Sequence, residues 1–130
     1  MTDKLVVLAV DDNLQQLSEF ETMLSQKYDL RTVKAASEAI SFLNRKKIDV
    51  ILLDIDMPNI SGFEFLEDIR KIPSYFTTPI IIVSGNTGRE FLNKAGNSSA
   101  NAVLTKPVTP KMLIDTIEKV YADEENARGK

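Results

Sequence analysis

Four carboxylates, one hydroxyl and one ammonium stand where the apolar runs of this chain stop. Asp11 and Asp12 follow the run 5–10, Asp54 and Asp56 close the run 50–53, Ser84 ends the run 80–83, and Lys106 lies just past 102–104. The run before Asp54 is four consecutive aliphatics with no polar face, so it reads as a strand covered on both sides, as in parallel sheets. Ligands of such sheets bind at the carboxyl ends of the strands. An ionised carboxylate withdrawn from water there is costly unless something positive meets it. Asp54 therefore implies a bound cation, a paired lysine or a reaction.

Carboxylates converging on one edge repel and raise one another's pKa. A hard divalent cation relieves this, and Mg²⁺ uses one or two carboxylates with carbonyls and waters. Asp54 would keep an oxygen free to attack a phosphoryl group. Lys106 would offer that group a point charge and Ser84 a directional donor. Each residue also has a plainer reading. Asp12 or Asn13 serves as the N-cap of a following helix, Asp56 shapes a turn, Ser84 is an ordinary turn residue, and Lys106 is a solvated loop lysine. The basic stretch Arg45, Lys46 and Lys47 reads as a solvated helix end.

The elements that must position these groups alternate five times between strand and helix. After Asn13, Leu17, Phe20 and Leu24 fall on one helical face. A short strand over 30–33 leads to a helix with Ser37 as N-cap and Ile40 and Leu43 inside. A turn-rich loop (Met57, Pro58, Asn59, Ile60, Ser61, Gly62) precedes an amphipathic helix that stops before Pro73. A weaker helix over 90–95 frays at Gly96. Thr109 and Pro110 open a last helix with Leu113, Ile117, Val120 and Tyr121 on its inner face. From Asp123 the chain reads as a polar tail or linker, so residues 1–122 form one domain and 123–130 lie outside it. Strand–helix alternation implies right-handed crossovers and an α/β, doubly wound parallel sheet.

Composition narrows the chemistry. With no histidine, a Ser-His-Asp or Cys-His pair and the usual zinc sites are ruled out. With no cysteine there is neither a disulfide framework nor thiolate catalysis, which fits a cytoplasmic setting. The formal net charge of −3 argues against a general hold on nucleic acid, and no run is long enough to span a membrane.

Taken together, Asp11–Asp12, the stretch Leu53, Asp54, Ile55, Asp56, Met57, Pro58 with Gly62, the Val83–Ser84–Gly85 turn and Leu104, Thr105, Lys106, Pro107 resemble the response regulator receiver domain of two-component signalling, from about Leu5 to Tyr121. The resemblance implies a five-stranded flavodoxin-like sheet in the order 2-1-3-4-5. It makes Asp54 the phospho-acceptor and places Ser84 and Lys106 on the phosphoryl group. It gives Mg²⁺ to Asp12, Asp54 and the backbone carbonyl of Asp56, with Asp11 helping through water. It also implies a cis bond at Lys106–Pro107. The sequence departs from the family where Val103 replaces an aromatic, Ser61 an acid before the loop glycine, Val108 a phenylalanine, and Ser99–Ala100 a glycine-alanine pair.

The function expected is a phospho-accepting switch that catalyses only its own phosphorylation and dephosphorylation. Its partners would be a histidine kinase or histidine phosphotransfer protein and a downstream target or output domain, with no direct nucleic acid or membrane binding. Since the chain has no histidine, the phosphodonor comes from elsewhere. Two alternatives share some of these residues. A haloacid-dehalogenase-like phosphatase would use Asp54 and Asp56, but with its motifs in the opposite order. A receiver-like docking module would carry the same site without taking phosphate. A flavodoxin-like nucleotide binder is weaker, because acids stand where a phosphate loop needs glycines.

Overall fold

Five stretches pair into one parallel sheet: β1 (Val6–Val10), β2 (Asp29–Val33), β3 (Val50–Leu53), β4 (Ile80–Ser84) and β5 (Ala102–Thr105). Their order is β2-β1-β3-β4-β5, as expected. The computed structural model describes residues 4–57 and 61–128. Pro58, Asn59 and Ile60 of the turn-rich loop, residues 1–3 and residues 129–130 lie outside the described residues. Among the described residues, α1 (Leu14–Leu24), α2 (Ala36–Leu43), α3 (Gly62–Arg70) and α4 (Arg89–Gly96) lie between successive strands, and α5 (Pro110–Ala127) follows β5.

Strand side chains alternate between the two faces, so the sheet builds two cores. Val7, Ala9, Leu52, Ile81 and Val83 pack with Leu17, Phe20 and Leu24 of α1 and with Leu113, Ile117 and Val120 of α5. Leu8, Val10, Ile51, Leu53, Ile80 and Ile82 pack with α2, with Phe65, Leu66 and Ile69 of α3, and with Ala95 of α4. This double covering is why β1, β3 and β4 read as unbroken apolar runs. Among the described residues, no helix is long and apolar enough to cross a membrane.

The helix starts show which capping signals prevailed. Asn13 caps α1, its side chain accepting from the Gln16 amide at 3.0 Å. Thr109 caps α5 by accepting from Met112 N–H at 3.1 Å, ahead of Pro110. Ser37 is not an N-cap: α2 begins one turn-fraction earlier, after Ala35, and Ser37 lies inside it. No side chain caps the helix; the Glu38 carboxylate instead reaches back past the N-cap and accepts from the Lys34 amide at 3.2 Å.

The polar residues 123–127 are helical rather than a frayed tail. Helix α5 runs through them to Ala127, carried by i,i+4 ion pairs Lys119–Asp123 and Glu124–Arg128, each at 3.0 Å. Sequence periodicity also passed over a 3-10 turn, Pro73–Tyr75. At the edge of the sheet away from the strand-end acids, Arg70 donates to the carbonyls of Tyr75, Thr78 and Ser99 and to Asn101 Oδ1, tying α3 to the starts of β4 and β5.

Candidate functional site

Register brings the strand-end groups together. Val10 pairs with Leu53 across β1 and β3, so Asp11 and Asp54 stand at the same level on neighbouring strands. Each is fixed by a ladder bond past its strand: Asp11 N–H donates to Val33 O at 3.2 Å and Asp54 N–H to Val10 O at 3.0 Å. Alternation places Asp11, Asp54 and Lys106 toward the α1/α5 side of the sheet. Ser84 follows Ile80 and Ile82 toward the α3/α4 side. The site is therefore approached by the ammonium from one side and by the hydroxyl from the other.

Asp11 and Asp54 are 1% and 6% exposed, whereas Asp12 is open to solvent. The three offer carboxylate oxygens within 4.8 Å of one another. Lys106 Nζ lies 3.2 Å from Asp11 Oδ2 and 3.9 Å from Asp54 Oδ2, one positive charge against three carboxylates. Burial pushes the Asp54 carboxyl up to about 6, and the Asp11 carboxylate adds to the rise. The Asp56 amide, donating to Asp54 Oδ1 at 3.0 Å, and Lys106 pull the other way. An all-oxygen donor set with surplus negative charge suits a hard divalent cation.

Asp56 sits apart from the other acids. Among the described residues its carboxylate is outside the three-acid group, and Oδ2 accepts the Ser84 hydroxyl at 2.6 Å. The backbone role assigned to Asp56 by resemblance leaves its side chain free for this bond. Ser84 is 1% exposed and its Oγ also accepts from the Asn86 amide at 3.1 Å. Lys106 N–H donates to Ser84 O at 2.8 Å, tying the ends of β4 and β5. The Lys106–Pro107 peptide is cis. The six residues singled out in the sequence all lie at this edge of the sheet, while the Asp11–Lys106 pairing, the Asp56–Ser84 bond and the part played by Asn86 were not legible in the sequence. The one available signal was an asparagine two residues past Ser84, an Asx-turn former.

Gly62 explains the glycine of the loop motif. A Cβ there would lie 2.5 Å from Ile55 O and 2.6 Å from Ile55 Cα. The start of α3 thus packs directly on the backbone that follows Asp54.

The departures from the family pattern each have a structural job. Ser61 caps α3, accepting from Glu64 N–H at 3.4 Å. Ser99 Oγ donates to Glu67 Oε2 at 3.0 Å. Val108 is buried in the α1/α5 core. Val103 packs toward α3 and α4 with Phe63 and Phe91, whose rings are 5.8 Å apart and tilted.

With this geometry in place, comparison with known proteins is specific. The family described as response regulator receiver domain matches residues 7–118. The chain is 30% identical over 122 residues to the sensor histidine kinase RcsC of Salmonella typhimurium, covering 93% of this chain and 13% of that protein. It is 33% identical over 121 residues to the hydrogenase transcriptional regulatory protein HoxA of Cupriavidus necator, covering 92% of this chain and 25% of that one. It thus spans a small part of either relative's length. The solved structure of the chemotaxis response regulator CheY4 of Vibrio cholerae superposes with a TM-score of 0.84 at 30% identity, covering 90% of this chain and 98% of that one. These matches do not favour the phosphatase or the docking module.

Proposed function

This chain belongs to the response regulator receiver domain family, and from that premise we propose that Asp54 takes a phosphoryl group from a phosphohistidine and that Ser84 and Lys106 read its arrival. The observation that carries the assignment is the setting of Asp54: buried, at the strand end, within 4.8 Å of two further carboxylates and 3.9 Å from an ammonium.

Asp12, Asp54 and the Asp56 carbonyl would hold Mg²⁺, with Asp11 acting through water. A divalent cation held there would offset the mutual repulsion of the acids and would supply positive charge for the phosphoryl oxygens. An Asp54 oxygen attacks phosphorus; a P–O bond forms, the P–N bond breaks, and the imidazole leaves with the electron pair. Lys106 balances the charge gained, moving from Asp11 toward the phosphoryl group. The Ser84 hydroxyl donates to a phosphoryl oxygen from the α4 side.

The donor histidine lies outside these 130 residues, on a histidine kinase or histidine phosphotransfer protein. The receiver of the signal is a downstream protein or output domain. The test is intact-mass spectrometry after incubation with acetyl phosphate, with and without Mg²⁺. One Mg²⁺-dependent, alkali-labile phosphoryl adduct supports the assignment, and no adduct under any donor, phosphohistidine protein included, overturns it.

A further inference from the structure

The Ser84 hydroxyl is already engaged before any phosphoryl group arrives. It donates to Asp56 Oδ2 at 2.6 Å, a bond to a charged acceptor and so among the stronger kinds. A hydroxyl has one proton to give. Ser84 cannot donate to Asp56 and to a phosphoryl oxygen on Asp54 at once. Resting on the phospho-acceptor assignment above, we infer that the Asp56 side chain is a latch: it holds Ser84 in the unphosphorylated arrangement and sets how much of the phosphoryl group's binding energy switching consumes.

The latch is wired to α4. Ser84 Oγ accepts the Asn86 amide at 3.1 Å, Asn86 Oδ1 accepts the Gly88 amide at 2.8 Å, and Gly88 O accepts the Leu92 amide at 2.9 Å, inside the first turn of α4. That helix is weakly held. Its N-cap Gly88 has no side-chain cap, and Ala95 is its only buried residue. Turning the Ser84 hydroxyl from Asp56 toward Asp54 therefore shifts the acceptor on which the β4–α4 turn is built, and the helix that follows is held mainly by Ala95 and by the half-buried Phe91 against Phe63. In this scheme the Asp56 carboxylate is a positioning group that acts through Ser84, separate from the Asp56 amide that bonds Asp54 Oδ1.

Removing Asp56 also removes a negative charge near the phosphoryl group, so a single variant does not separate the latch from simple repulsion. A double-mutant cycle does. The affinity for beryllofluoride, a phosphoryl mimic, is measured with saturating Mg²⁺ for wild type, Asp56→Ala, Ser84→Ala and the double variant, with Mg²⁺ affinity titrated separately. The latch predicts that Asp56→Ala binds beryllofluoride roughly ten-fold more tightly than wild type. It also predicts that most of this gain is absent in the Ser84→Ala background. Asp56→Asn, which keeps an uncharged acceptor, falls between wild type and Asp56→Ala. Amide resonances of Asn86 and Gly88 in free Asp56→Ala shift toward their beryllofluoride-bound positions. An equal gain in both backgrounds, or no gain, overturns the latch and leaves the phospho-acceptor assignment standing. Failure of the wild type to bind beryllofluoride at all overturns the assignment and the latch with it.

Discussion

Lys106 Nζ is closer to Asp11 than to Asp54, 3.2 Å against 3.9 Å. The lysine that would stabilise the phosphoryl group is thus held in reserve on a neighbouring, almost fully buried carboxylate. Removing one partner of such a pair leaves an uncompensated buried charge. We expect Lys106→Ala to lower the stability of the metal-free protein by about 2 kcal/mol, and Mg²⁺ to recover most of that loss by supplying positive charge. Urea denaturation with and without Mg²⁺ measures both effects. A loss that Mg²⁺ leaves unchanged would show that Lys106 does not balance the acid cluster. The variant should still accept phosphoryl from acetyl phosphate, yet fail to convert it into a change at α4.

Asp54 gives the metal-free protein a characteristic pH dependence. Its carboxyl is raised from 3.8 to about 6, chiefly by burial. A carboxyl whose value rises on folding holds its proton more tightly in the folded chain. Its ionisation therefore costs stability above about pH 6 and nothing below about pH 4. On this group's account the unfolding free energy should increase, by on the order of 2 kcal/mol, as pH falls through that window. The difference between wild type and Asp54→Asn isolates this contribution from the other carboxylates. A difference that stays flat across the window would contradict it.

At neutral pH the same reasoning makes Asp54→Asn more stable than wild type without metal, by on the order of 2 kcal/mol, because a repelled carboxylate is gone. Mg²⁺ should stabilise the wild type far more than the variant, since a ligand stabilises only the state that binds it. Thermal denaturation across a Mg²⁺ series reads both effects. A variant clearly less stable than wild type would mean that the three acids do not strain the fold.

Gly62→Ala tests the close approach of α3 to the chain following Asp54. The added methyl would meet Ile55 O and Cα at 2.5 and 2.6 Å, both backbone atoms, so no side chain can swing away. The start of α3 must move, at a cost of about 2 kcal/mol or more. We expect a lowered urea midpoint together with weaker Mg²⁺ binding, since the Asp56 carbonyl lies in the same segment. An unchanged midpoint would show that the loop gives way freely.

Much of this site was legible because parallel sheets put all their carboxyl ends on one edge. Once 5–10, 50–53, 80–83 and 102–104 were read as strands, Asp11, Asp54, Ser84 and Lys106 had to converge. What sequence could not give was the pairing within the cluster. Ser84 pairs with Thr105 and lies one step beyond the level of Asp54, on the opposite face. That offset brings it to Asp56, and it depends on register. The start of α2 differs from the serine-cap expectation because its N-cap, Ala35, has no capping side chain, and the local bond there runs from the Lys34 amide to the Glu38 carboxylate four residues on, a pattern that a search for a serine cap overlooks. The end of α5 lies beyond the expected boundary because its polar residues pair at helical spacing, Lys119 with Asp123 and Glu124 with Arg128, where polar composition alone implies fraying.

The most direct test of the phospho-acceptor is chemical trapping at its site. An acyl phosphate is reduced by borohydride to the alcohol, so a phosphorylated aspartate becomes homoserine. The protein is incubated with acetyl phosphate and Mg²⁺, reduced, digested and sequenced by mass spectrometry. If Asp54 is the acceptor, homoserine appears at position 54 alone, requires Mg²⁺, and is absent from Asp54→Asn. Homoserine at Asp11, Asp12 or Asp56, or none at position 54 in protein that carries a phosphoryl adduct, would contradict it.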